Sequence, residues 1–149
     1  MLSSIILVLG MLIYGNHFHY GIIFNDVPFT RESVANYKTS FQKGEKIYWL
    51  FMSKKPIKAE FIELQVVSAT HNSGFTTLTG IVYSHDYRIN KDNPHYYTDY
   101  VVIHSPGHYY MQIFDKNKLV KPLTIADFFV KWFLILKCYK CPCAFNFVF

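Results

Sequence analysis

Seven histidines and three cysteines are the residues of this chain whose chemistry could reach beyond packing. His17-x-His19 can set two imidazoles on one side of an extended strand, a pairing found in zinc and copper sites. Cys138-x-x-Cys141-x-Cys143 offers thiolates, but a closed structural zinc site takes four ligands and the chain holds no second cysteine pair. A redox reading of Cys-x-x-Cys requires a helix N-terminus in an α/β setting, whereas this one follows strand-like sequence. The remaining candidate is His104-Ser-Pro-Gly-His108 with Met111 three residues on. Ser-Pro-Gly is turn chemistry: proline fixes one dihedral and glycine frees the next. Beyond the turn a period of two puts Tyr109, Met111 and Ile113 on one face and His108, Tyr110, Gln112 and Phe114 on the other. A thioether on the core face does not readily join an imidazole on the solvent face. The stretch therefore reads as a turn feeding a buried strand, with the histidines on surface or in loops.

Catalysis has less to work with. There is no glycine-rich phosphate loop, no nucleophile-elbow serine and no helical His/Glu pair. Asp86, Asp92 and Asp99 lie in or near one polar stretch, where acids usually form turns and confer solubility. The expectation is a non-enzymatic protein with no cofactor. The net charge of +5 comes almost wholly from lysine, since Arg31 and Arg88 are the only arginines. Arginine is the preferred residue for bidentate recognition of phosphates and bases, so its scarcity argues against nucleic acid as a partner. Ser53-Lys-Lys-Pro-Ile-Lys58 reads as a solvated turn.

The elements that must position these residues are mostly strands. Aromatics make up 19% of the chain, with 12 tyrosines and 14 phenylalanines, a composition suited to covering pleated surfaces. Ala59 to Val67 alternates, with Ile62, Leu64 and Val66 against Glu63 and Gln65, the pattern of a half-buried strand. Ile47 to Met52 is nearly continuous in apolar residues and bounded by Gly44 and Pro56, which suits a strand covered on both faces. Phe75 to Tyr83 is threonine-rich and broken by Gly80, where a bulge is expected. Residues 84–95 read as the longest loop, Tyr96 to Ile103 as the next strand, and Leu119 to about Lys131 as the last, with Pro122 implying an edge or a bulge. Thr30 to Lys38 suggests one helical turn or an edge strand.

The ends differ from this body. Ile5 to Tyr14 is apolar over a length that suits a signal-peptide core and falls short of the roughly 20 residues of a spanning helix. Residues 1–15 are thus expected to be a signal peptide or short membrane anchor, residues 16–131 the domain, and residues 132–149 an apolar, cysteine-containing tail. The closing Phe145-Asn-Phe147-Val-Phe149 also resembles the last strand of an outer-membrane barrel, although Ile47–Met52 lacks the alternation that a barrel strand needs.

Phe41-x-x-Gly44-Glu45-x-Ile47 resembles the turn into an early core strand of immunoglobulin-like sandwich domains of exported proteins. Pro106-Gly107-x-Tyr109-x-Met111-x-Ile113-Phe114-Asp115 is similar to their penultimate strand. The resemblance implies an all-β, immunoglobulin-like antiparallel β-sandwich of about seven strands, with Tyr109 turned inward. It transfers no catalytic or binding residue, and the absence of cysteine from the body removes the inter-sheet disulfide of antibody domains.

Together these observations predict an exported module of the periplasm, cell surface or membrane-anchored envelope. It binds an unknown protein or envelope ligand, and the N-terminal segment gives it a route to the membrane. Its contact surface is expected around Tyr83, His85, Tyr87, Arg88, His95, Tyr96 and Tyr97, because tyrosine supplies rigid amphipathic area at low entropic cost. Two alternatives remain at this level. One is a copper- or zinc-binding envelope protein using His17 and His19 or the thiols of Cys138, Cys141 and Cys143. The other is a small membrane β-barrel.

Overall fold

The computed structural model describes residues 19–72, 74–92 and 94–132. Their order is β1 (Tyr20–Asn25), a single 3-10 turn (Ser33–Ala35), β2 (Ser40–Gln42), β3 (Lys46–Ser53), β4 (Phe61–Asn72), β5 (Phe75–Arg88), β6 (Tyr96–Val102), β7 (Gly107–Asp115) and β8 (Thr124–Lys131). β1, β3 and β6 form one sheet in that order, and β2, β8, β7, β4 and β5 form the other. All pairings are antiparallel except β2 with β8. The strand order matches the variable-type immunoglobulin arrangement: β8, β7, β4 and β5 occupy the G, F, C and C′ places, facing β1, β3 and β6.

The strand alternation seen in the sequence decides which side chains meet between the sheets. Ile47, Trp49 and Phe51 project inward from β3; Ile62, Leu64 and Val66 from β4; Met111 and Ile113 from β7; Phe128 from β8. All nine are fully buried. Leu50, on the outer side of β3, is buried as well, so this strand is indeed covered on both faces. An apolar layer between two distinct sheets, rather than one sheet closed on itself, corrects the barrel alternative for the described residues.

Two glycines do work that no other residue could do without strain or a clash. Gly44 takes φ +79° in the β2–β3 turn, donates its N–H to Ile103 O at 2.9 Å, and lets Glu45 Oε2 accept from Gln42 N at 2.7 Å. At Gly107 a Cβ would lie 3.3 Å from the Tyr109 ring, which folds back so that its hydroxyl donates to Ser105 O at 2.7 Å. Tyr109 is thus inward, as the resemblance implied, and ties the Ser-Pro-Gly turn to the strand it feeds.

Three boundaries differ from the sequence reading, and one expected irregularity is present. β5 runs to Arg88 and absorbs the first part of the expected 84–95 loop, because Tyr83, His85 and Tyr87 alternate with Ser84, Asp86 and Arg88 as β4 pairs through to Arg88. β4 and β5 consume most of the expected 70–74 turn, leaving Gly74 at φ +86°. The expected bulge appears opposite Ser68, where Thr79 Oγ1 bonds Ser68 Oγ at 2.8 Å, and the register slips a second time between Val66 and Val67. Finally, β8 begins at Thr124 and lies inside its sheet; Pro122, lacking an N–H, stays outside the ladder, which opens with Leu123 N donating to Ile113 O at 2.7 Å. Among the described residues no helix is long and apolar enough to cross a membrane.

Candidate functional site

β5 is an edge of the five-stranded sheet and β6 an edge of the three-stranded one, and their inward side chains meet across the flank of the sandwich. Trp49, from the middle of β3, forms the floor. Its ring stacks on Tyr97 of β6 (centroids 5.6 Å apart, 25°) and meets Tyr87 of β5 edge-on at 5.3 Å. Tyr87 and Tyr97 are themselves 5.0 Å apart, and His85 lies 4.7 Å from Tyr87 on the open side. The hydroxyls of Tyr83 and Tyr87 share a hydrogen bond of 3.2 Å. Such contacts between rings add to the area they bury.

Of the seven sequence candidates, the fold brings together Tyr83, His85, Tyr87 and Tyr97. Tyr87 is only 5% exposed and belongs to the core, so its ring supports the surface instead of presenting one. Tyr83 and Tyr97 are half-buried and His85 is exposed. The other three go elsewhere. Arg88 pairs with Glu60 at 3.1 Å on the sheet exterior, His95 is bonded to Ser53 through Nδ1 and its backbone carbonyl, and Tyr96 projects from the outer face of β6. Sequence reasoning missed Trp49 and Asp99. The signal for them was the period of two, which puts Trp49 on the face of Ile47 and Phe51 and Asp99 on the face of Tyr97; the β3–β6 register then sets Trp49 opposite Asp99. Trp49 Nε1 is buried and has no acceptor among the described residues.

Burial raises the phenol pKa of Tyr87 well above the ordinary range, reinforced by its bond with Tyr83 and by the charge of Asp99. Tyr97 is raised by burial and then by Asp99, and Tyr109 by burial alone. A group held protonated in the folded state keeps its full stabilising contribution below the unfolded pKa, about 10 for tyrosine, and loses it as pH rises through the folded value. Denaturant midpoints contributed by these groups are therefore expected to be level from pH 7 to about 9.5 and to fall above about pH 10. Tyr87→Phe should lessen that alkaline fall; an identical fall in the variant would remove Tyr87 as its source.

A second cluster, which periodicity alone did not reveal, lies on the outer face of the five-stranded sheet. His108, expected on the surface, is only 9% exposed. Phe129 stacks on it at 4.2 Å and 8°, Tyr110 covers a second side at 4.7 Å, and His71 abuts it. His108 Nε2 bonds Asp127 Oδ2 at 2.9 Å, His108 Nδ1 faces His71 Nε2 at 2.5 Å, and His71 Nδ1 meets Thr76 Oγ1 at 2.9 Å. Met111 points into the core from the opposite face, as the period of two required.

His19 is exposed at the start of β1, beside a shallow hollow that includes Tyr20 and Lys121. His17, Cys138, Cys141 and Cys143 lie outside the described residues. Among the described residues no three His, Cys, Asp or Glu side chains form a ready-made metal centre.

No protein-family model matches the chain, and no curated protein matches it. Among solved structures, the crystal structure of the PmoD soluble domain from Methylocystis sp. ATCC 49242 (Rockwell) is similar. Identity is 13% and the TM-score 0.47, covering 78% of this chain and 100% of that one.

Proposed function

We propose that this protein is a non-enzymatic, immunoglobulin-like binding module of the cell envelope that takes its partner on the aromatic flank between β5 and β6. The observation that carries this reading is the convergence of Tyr83, His85 and Tyr97 over the buried pair Trp49–Tyr87. Half-buried tyrosines held by a rigid core lose little entropy on contact, which is the property that makes them effective in binding loops. Asp99 adds a carboxylate near enough to influence Tyr87 and Tyr97. The apolar segment Ile5–Tyr14 supports export, and the near-absence of arginine weighs against nucleic acid.

The test is quantitative capture of envelope proteins by immobilised full-length chain, comparing the native sequence with His85→Ala and Tyr96→Ala. His85 is exposed on the flank and Tyr96 projects from the opposite side of β6, so both variants should fold. A partner enriched by the native chain should fall about tenfold or more with His85→Ala, the loss of a contact worth at least about 1.4 kcal/mol. It should be retained with Tyr96→Ala. Loss with Tyr96→Ala and retention with His85→Ala would move the surface to the outer face of β6 and sink the proposal.

A further inference from the structure

We infer that His71 and His108 form an open binding site for a single borderline first-row transition-metal cation, with Zn2+ as the simplest probe. This site is on the outer face of the five-stranded sheet and is independent of the aromatic flank. Its ligands belong to β4 and β7, which pair as far as Ala69↔His108. β4 then continues past the end of that pairing to carry His71 on the β4–β5 hairpin.

Imidazole ligands of metals almost always donate their far N–H to a carboxylate, backbone carbonyl or water, which fixes the tautomer and orients the near lone pair. His108 has that arrangement toward the Asp127 carboxylate, and His71 has a hydroxyl counterpart of it in the tautomer whose Nδ1–H donates to Thr76 Oγ1. The far nitrogen of His108, Nε2, is held by Asp127 Oδ2 at 2.9 Å, and the far nitrogen of His71, Nδ1, by Thr76 Oγ1 at 2.9 Å. The near nitrogens face each other at 2.5 Å. The planes differ by 18° with centroids 4.8 Å apart, so with nitrogens this close the rings meet end to end and their in-plane lone pairs converge.

In the tautomers that carry both protons on the far nitrogens, the two near lone pairs are free to take a cation between them while Asp127 still accepts from His108 Nε2. Two zinc–nitrogen bonds of about 2.0–2.1 Å at a tetrahedral angle set the nitrogens about 3.3 Å apart, so the rings separate by about 1 Å and the angle between their lone pairs closes by about 70° from end to end. His108 is fixed by its stack on Phe129, whereas His71 is exposed on the hairpin arm and can supply the movement. Water fills the coordination positions that the two imidazoles leave, and neutral imidazole suits zinc, copper and nickel alike.

The experiment is titration of zinc sulfate into full-length protein with 15N-labelled histidine, following side-chain nitrogen resonances at neutral pH. Site-resolved signals separate this pair from His17, His19 and the tail thiols, whatever those groups bind. The expected result is that Nε2 of His71 and Nδ1 of His108 shift while their far nitrogens stay protonated. Asp127→Asn should weaken the site about 10- to 100-fold, the usual cost of losing such a support. His71→Gln, at an exposed position that leaves the buried ring in place, should abolish the His108 shift. A His108 signal that moves equally in His71→Gln, or zinc-induced shifts confined to other histidines, would overturn the inference.

Discussion

Phe128→Ala is expected to lower the unfolding free energy by about 3–5 kcal/mol, the range for removing a buried aromatic ring. Its ring is fully buried where strands of both sheets converge: Phe24 of β1 at 5.0 Å, Phe41 of β2 at 6.1 Å and Tyr109 of β7 at 5.7 Å. Three strands besides its own therefore lose a packing partner, and the rigid sheets limit how far the cavity can collapse. For a single domain with a total stability of about 5–15 kcal/mol, this is a large fraction. Urea denaturation checks it, with an unchanged slope showing that stability rather than compactness has moved. A loss below about 1 kcal/mol would mean that the sheets do not close over this ring.

The second large effect separates core from contact surface within one sequence motif. Tyr87→Ala removes a ring packed between Trp49, Tyr97 and His85 and should cost about 3–4 kcal/mol. Tyr87→Phe keeps that packing and loses only the 3.2 Å bond to Tyr83, for about 1 kcal/mol or less. Tyr96→Ala, at a ring 48% exposed, should stay within about 0.5 kcal/mol of the native protein. Equal losses at Tyr87 and Tyr96 in thermal or urea melts would contradict the inward and outward assignments of β5 and β6.

The same pair shows how the candidate surface was partly legible. Tyr83-x-His85-x-Tyr87 already alternates with Ser84, Asp86 and Arg88, yet the polar residues made residues 84–95 read as loop. On an edge strand the outward side chains face water, so polarity every second residue is a strand signal. Arg88 and His95 lie nearby in sequence but join Glu60 and Ser53, because chain proximity says nothing about which face or strand a side chain meets.

What the sequence determined by itself was periodicity. Alternation along 59–67 and 109–114, with turn residues at 44, 74 and 106–107, fixed which side chains are inward, and so the all-β class and the separation of Met111 from His108. Tertiary structure decided register and neighbourhood. His71, His108 and Asp127 are 37 and 19 residues apart in the chain and meet only because β7 lies between β4 and β8 with Ala69 opposite His108 and Phe129 opposite His108 on the other side. Sliding either pairing by one residue would turn these groups to opposite faces, and local composition carries no information about that slide.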